Sequence, residues 1–320
     1  MPRRAVAVIG TGTIGRSWIR VFTRGGYPTR AWDPDPEQLE RAWTWLKADL
    51  KTTRKRQGLR KAVARSQREL VTRCATLEEA LDGVAYVQES APEDLVLKQR
   101  LFQDLDARSD PGTILATSSS SFGLDQLAGG LGGRHRCIIA HPLNDPHTLP
   151  PVEVHWDEQT NPAVVRRTTR FLLQVGQQPL PVRKHRPGLV MERLEAAVLR
   201  EAIYLLQEEV ADVETVEAAL HLGLGLNWAT QGPLRALALK ADGGLHEHLT
   251  RYAAVYHRIW SDLGTDVQLT PELIDRLARQ VGPTQAGVEP QEYRAWRDDL
   301  VERIQRTKTT HQLGAEDGAG

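Results

Sequence analysis

Three short segments carry the side chains best suited to chemistry. Ala116-Thr-Ser-Ser-Ser-Ser-Phe122 supplies clustered hydroxyls, His141-Pro-Leu-Asn-Asp-Pro-His147 supplies imidazoles, and Pro150-Pro-Val-Glu-Val154 supplies a carboxylate. The first two follow apolar stretches that read as strands, and in an open α/β sheet ligands bind beyond the carboxyl ends of strands. A serine, a histidine and a glutamate converging there suit hydride transfer at an alcohol. The histidine takes the hydroxyl proton, the carboxylate orients it and stabilises its charged form, and the serine hydrogen-bonds the oxygen.

A hydride needs an acceptor, and the N-terminal forty residues point to one. The apolar run Ala5–Ile9 ends in Gly10-Thr11-Gly12-Thr13-Ile14-Gly15. Ser17 to Arg24 then reads as a helix with Trp18, Ile19, Val21 and Phe22 on its apolar side. Thr29–Trp32 reads as the next strand, and Asp33 closes it. Gly10 permits the tight turn, Gly12 lets the backbone approach a pyrophosphate, and Gly15 lets helix pack on strand. Thr13 and Ile14 complete the loop at the positive end of that helix. Asp33 lies 18 residues after Gly15, where a carboxylate accepts ribose hydroxyls and repels a 2′-phosphate. The pattern predicts NAD, favoured over NADP, with Arg30 nearby as a minor counter-signal.

These loops require a sheet. Val84–Gln88, Thr113–Thr117, Cys137–Ala140 and Val152–Val154 read as further strands, with helices over 92–105 and 161–175 between and after them. Alternation of this kind predicts a doubly wound, Rossmann-type parallel sheet covered on both faces. Residues 36–70 read as a helical arm. From Lys51 to Arg68 that arm holds eight basic residues and no acid, which suits a solvated face. Beyond Gly188 only helical patterns remain, including Leu189–Gln207 and Val213–His221. The expected division is therefore a nucleotide-binding domain over 1–186, an all-helical C-terminal domain over 187–307, and a disordered polar tail over 308–320.

Composition sets the outer bounds. The 320 residues carry 41 Lys+Arg and 41 Asp+Glu, so formal charge gives no general attraction to nucleic acid or to an anionic membrane. No apolar run is long enough to span a bilayer, and the N-terminus lacks a signal-peptide core. Two cysteines, Cys74 and Cys137, cannot make a disulfide framework. A cytoplasmic protein with a small-molecule substrate, and with no nucleic-acid or membrane partner, is expected. No metal-ligand spacing is present. His246 and His248 stand two apart and read as solvent-exposed, Trp43 and Trp45 as packing, and Cys137 as an inert core residue.

Several ordered motifs give the chain a family resemblance: GTGTIG at 10–15, VQESAPEDLVLK at 87–98, SSSS at 118–121, HPLNDP at 141–146, LPPVEV at 149–154, PGLVMERL at 187–194 and GLGLNWATQGPL at 223–234. Together they resemble the 3-hydroxyacyl-CoA dehydrogenase superfamily, nearest the branch with lambda-crystallin, L-gulonate 3-dehydrogenase and carnitine dehydrogenase. The resemblance implies an NAD-dependent dehydrogenase of a small 3-hydroxy compound and a homodimer formed through the helical domain. It also implies residue roles. Ser120 matches the substrate-binding serine, His141 the catalytic base, and Glu153 its partner carboxylate. Ser118, Ser119 and Ser121 read as polar loop residues. Glu89 and Lys98 fall in the segment that lines the cofactor, and Asn144, Glu192 and Asn227 fall at substrate-binding positions.

At three of the family's positions this sequence departs. Glu192 stands where the family usually has Asn, Asn227 where the small-acid branch usually has Arg, and Asp145 where a proline is usual. Each change makes the site more negative, which disfavours an anionic hydroxy acid if all three line the pocket. A protonated Glu192 acting as a neutral donor is another reading. Two alternatives to the small-molecule dehydrogenase stand beside it: a 3-hydroxyacyl-CoA dehydrogenase, and a repurposed NAD-binding protein without turnover.

Overall fold

The computed structural model describes residues 3–58, 60–282 and 289–310. It divides into two compact units, 1–193 and 194–320. The first is built on one eight-stranded sheet of order β3-β2-β1-β4-β5-β6-β7-β8. The strands are β1 Val6–Ile9, β2 Thr29–Trp32, β3 Val71–Arg73, β4 Tyr86–Glu89, β5 Ile114–Thr117, β6 Cys137–Pro142, β7 Pro151–His155 and β8 Gln178–Val182. Order reverses between β1 and β4, so the crevice for a ligand lies above that pair.

Alternate residues of β1 feed two different cores. Val6 and Val8 pack with Trp18 and Phe22 of α1 (Thr13–Arg24) and with Leu46 and Leu50 of α2 (Pro36–Gln57). Ala7 and Ile9 pack with Leu77, Ala80 and Leu81 of α4 (Leu77–Leu81) and with Phe102 and Leu105 of α5 (Leu95–Arg108). Both faces are covered, so the strand is a continuous apolar run instead of an alternating one.

Three features differ from the sequence reading. The helical arm is two helices, α2 and α3 (Lys61–Glu69), because Gly58 ends α2 in the left-handed conformation at φ 64°. The sheet has two edge strands beyond those expected. β3 is only three residues long, and β8 reads Gln-Pro-Leu-Pro-Val, a pattern that prolines disguise. An edge strand tolerates them because one side of its backbone needs no partner. Finally, β7 runs antiparallel to β6, while every other pair is parallel.

Helices α6 (Leu124–Ala128) and α7 (Pro162–Gln174) belong to the sheet unit, and after β8 all remaining described elements are helical. These are α8 (Met191–Gln207), α9 (Val213–Ala218), α10 (Gly225–Thr230), α11 (Pro233–Ala238), α12 (Gly244–Asp262), α13 (Pro271–Val281) and α14 (Pro290–Thr310). A π-helical segment, Ala219–Leu224, joins α9 to α10. Because α14 reaches Thr310, residues 308–310 of the expected tail are helical; 311–320 lie outside the described residues. His248, expected at the surface, is buried and shares a 3.0 Å hydrogen bond with the Tyr256 hydroxyl about two turns further along α12. Trp43 and Trp45 pack against the first core, with Arg73 over the Trp43 ring and Arg16 over the Trp45 ring. No described helix is long and apolar enough to cross a membrane.

Candidate active site

Strands β1, β4, β5 and β6 are parallel neighbours, so Gly10, Glu89, Ser118 and His141 all fall at one edge of the sheet. Above β1 and β4 lies a cleft of about 810 Å³, lined by Gly10, Gly12, Thr13, Ile14, Asp33 and Ser90 among others. Gly10 adopts φ 86°, and a Cβ there would meet the Ser90 carbonyl oxygen at 2.7 Å. A Cβ on Gly15 would lie 1.9 Å from the Gly10 carbonyl oxygen. A Cβ on Gly12 would meet nothing within 4 Å. The loop is therefore closed by its first and third glycines and left open by its second. No side chain caps the N-terminus of α1, so its first amides and dipole face that opening. These features fit a dinucleotide pyrophosphate.

Asp33 stands at the rim. Its Oδ2 accepts the Thr11 amide at 2.7 Å and the Thr11 hydroxyl at 3.0 Å, and its Oδ1 accepts the Asp35 amide at 3.0 Å. Arg30 turns away to the Glu79 carbonyl and to Asp82. Gln38 and Arg41, which the sequence reading passed over, also line the cleft. Gln38 donates to the Thr11 carbonyl at 2.9 Å and Arg41 pairs with Asp35 at 2.8 Å. Their only sequence signal is a place in the first turns of the helix after Asp33.

Glu89 and Lys98 do not line this cleft. They form a fully buried ion pair at 2.8 Å behind its wall. Glu89 Oε1 accepts the Ala91 amide and Lys98 Nζ donates to the Ala91 carbonyl at 3.0 Å. Together they hold the Ser90–Pro92 backbone that does line it. Glu93, also unflagged by sequence, joins them through Lys98 at 3.3 Å and accepts the Ser119 hydroxyl. Burial pushes the Glu93 carboxyl up, but these bonds win and hold it below the usual carboxylate range. Ser118 and Ser119 are thus more than loop polarity: Ser118 Oγ accepts from Gln88 at 2.8 Å and from the Trp18 indole at 3.2 Å.

The antiparallel turn of β7 sets the reactive pair. His141 and Glu153 are direct partners in the β6–β7 register. His141 Nδ1 lies 3.1 Å from Glu153 Oε2. Glu153 Oε1 accepts the amides of Val190 and Met191 at 2.8 and 2.9 Å. One carboxylate therefore orients the imidazole and caps the start of α8. Burial raises the Glu153 carboxyl, but the His141 bond and the two amides outweigh it and leave it below its ordinary value. Glu153 is fully buried and His141 nearly so.

Glu192, in the first turn of α8, completes the cluster. Ser120 Oγ donates to Glu192 Oε2 at 2.7 Å, and His141 Nε2 lies 3.3 Å from Glu192 Oε1. The chain reaches this place through two left-handed residues, Gly188 at φ 77° and Leu189 at φ 47°. The Gly188 amide is anchored on the Ser120 carbonyl at 3.0 Å. Asn144 lies in the β6–β7 loop, exposed and left-handed at φ 56°, and makes no side-chain hydrogen bond among the described residues. The Asp145 carbonyl takes the amides of Thr148 and Leu149, so it turns that same loop. Asn227 belongs to the second unit, on α10, where its carbonyl accepts the Thr230 hydroxyl. Among the described residues no three His, Cys, Asp or Glu side chains converge as metal ligands. Cys137 is buried in β6 and its thiol is pushed up to about 12 by burial, which makes it inert.

Residues 5–185 match the model of the 3-hydroxyacyl-CoA dehydrogenase NAD binding domain, and residues 188–258 match that of the same family's C-terminal domain. The chain belongs to the 3-hydroxyacyl-CoA dehydrogenase family. This family member is 31% identical over 311 residues to lambda-crystallin of Oryctolagus cuniculus, covering 96% of this chain and 97% of that one. It is 33% identical over 315 residues to an L-carnitine dehydrogenase of Streptomyces coelicolor, covering 98% and 97%. Among solved structures it resembles 5-formyl-3-hydroxy-2-methylpyridine 4-carboxylic acid 5-dehydrogenase, an NAD+-dependent dismutase. That likeness has a TM-score of 0.82 at 26% identity and covers 98% of this chain and 100% of the other. As a 3-hydroxyacyl-CoA dehydrogenase family member, the protein is an NAD-dependent dehydrogenase of 3-hydroxy compounds.

Proposed function

We propose that the protein oxidises the secondary alcohol of a small 3-hydroxy compound, with His141 as the general base. The bonded chain Glu153–His141, with Ser120 beside it, carries the reading. Bound NAD supplies the hydride acceptor. Ser120 Oγ and His141 Nε2 hold the substrate oxygen, His141 Nε2 takes its proton, and Glu153 holds the ring and the charge it gains. Gly10, Gly12, Thr13, Ile14 and Asp33 hold the cofactor, while Glu89 and Lys98 act on it through the backbone they fix. The near full-length likeness to an L-carnitine dehydrogenase supports a small substrate. The exposed basic residues Lys51, Lys55 and Lys61 of the arm favour a second reading, a 3-hydroxyacyl-CoA substrate whose phosphates they would meet.

We further propose a cytoplasmic homodimer. Its two cysteines are free and buried, which suits a reducing compartment. Leu199, Leu222, Leu226, Leu239 and Trp260 of the helical unit stay exposed, which suits burial against a second copy.

NADH formation is the test, with L-carnitine, 3-hydroxybutyrate, gulonate and a 3-hydroxyacyl-CoA as substrates. Turnover with one of the small compounds is expected, and His141→Ala should lower it by roughly 10²- to 10⁴-fold. Inhibition by free CoA would favour the thioester reading. NAD binding with no turnover across the panel would favour a repurposed scaffold.

A further inference from the structure

Glu192 stands where a substrate should. In the reading above, Ser120 Oγ and His141 Nε2 converge on the substrate's hydroxyl oxygen. In this structure both already converge on one carboxylate, at 2.7 and 3.3 Å. A hydroxyl can reach them only if that carboxylate moves off. It has room to do so, because the Glu192 side chain is 40% exposed, whereas His141 and Glu153 are 6% and 0% exposed. It cannot go far, since its backbone lies in the helix turn that Glu153 pins through Val190 and Met191. A displaced Glu192 therefore remains beside the carbinol carbon.

Its charge then has no internal answer. No lysine or arginine among the described residues pairs with Glu192; its one ion-pair partner is His141. When the hydroxyl takes over His141, the carboxylate loses that contact. A second carboxylate already occupies the other side of the same imidazole. An anionic group on the substrate next to the carbinol would meet like charge in a partly desolvated place, and a cationic group would meet its complement.

We infer that Glu192 makes this site select hydroxy compounds carrying a positively charged group on the carbon next to the carbinol. The inference rests on the proposed roles of Ser120 and His141 in holding the hydroxyl. In it Glu192 is a specificity residue: the substrate's cation draws the carboxylate off the base and so frees the hydroxyl's place. A neutral or purely anionic hydroxy acid has to displace Glu192 with nothing to offer it.

Two probes isolate the charge. L-Carnitine and 3-hydroxybutyrate share one hydroxy-acid frame, and the first adds a trimethylammonium on the carbon beside the carbinol. Calorimetric titration of the NADH-saturated protein measures both without turnover. The wild type should bind L-carnitine at least about tenfold more tightly than 3-hydroxybutyrate, a ratio worth about 1.4 kcal/mol. Glu192→Gln and Glu192→Asn should each bring that ratio close to one, mainly by weakening the carnitine complex. A wild-type ratio near or below one overturns the inference, and so does a ratio that both variants leave unchanged. Failure of the dehydrogenase reading shows elsewhere, as NADH formation that is absent or that His141→Ala does not affect.

Discussion

The Glu153 carboxylate holds an imidazole with one oxygen and the start of a helix with the other. Both bonds favour the ionised form, so the folded protein holds this group below its usual value of 4.5 although burial opposes ionisation. A depressed carboxyl adds stability above its unfolded pKa and loses it as pH falls through the folded one. Glu153→Gln should therefore cost about 1.5–3 kcal/mol near pH 7, the range for hydrogen bonds to a charged group. The gap between the wild-type and variant melting curves should close as pH drops below about 4.5. A gap that stays constant through that window would show that the charge on Glu153 contributes nothing. The types of His141 and Glu153, and the motifs around them, were legible in the sequence. The family motifs implied their partnership; what they did not show is the register behind it, in which β7 reverses direction and sets the two residues opposite each other.

At the scale of elements, the strand–loop–helix unit over β1 and α1 separates binding from folding. Gly12 faces open space and Gly15 faces the Gly10 carbonyl at a distance no Cβ can keep. Gly12→Ala should leave the melting temperature nearly unchanged and weaken NAD binding about tenfold or more, because the methyl enters the place of the phosphates. Gly15→Ala should instead destabilise the fold by about 1–3 kcal/mol, as overpacking does. Fluorescence titration with NADH beside thermal melting tells the two effects apart, and equal losses from both variants would refute the division. The glycine loop was readable because its spacing is local. Strands β3 and β8 were not. One is three residues long and the other alternates prolines, so neither shows an apolar period, and only pairing with a neighbour makes them strands.

The whole molecule pairs a sheet whose two faces are covered with a helical unit rich in exposed apolar side chains. Leu226 and Trp260, 62% and 58% exposed, are costly to leave in water and suit a protein contact. A stable homodimer buries on the order of 800 Å² per partner. Sedimentation of the purified protein should give twice the 35.7 kDa chain mass at micromolar concentration. Leu226→Glu with Trp260→Glu should return it to the monomer. A monomeric wild type would rule the dimer out. His248 marks the limit of reading such helices from spacing alone: two histidines two apart face different ways, and packing decided that one of them is buried against Tyr256.

By itself the sequence determined what is local. The glycine loop with its acid, the alternation of strands and helices, the catalytic residue types and the NAD-dependent chemistry all follow from short motifs and hydrophobic periods that neighbouring residues impose. Tertiary structure decided what depends on distant partners. It joined Glu89 and Lys98 in a buried ion pair behind the Ser90–Pro92 backbone, and it set Glu153 opposite His141. It also laid Glu192 across Ser120 and His141. Those outcomes turn on strand direction, register and the entry of α8, which long-range pairing fixes and no local spacing encodes.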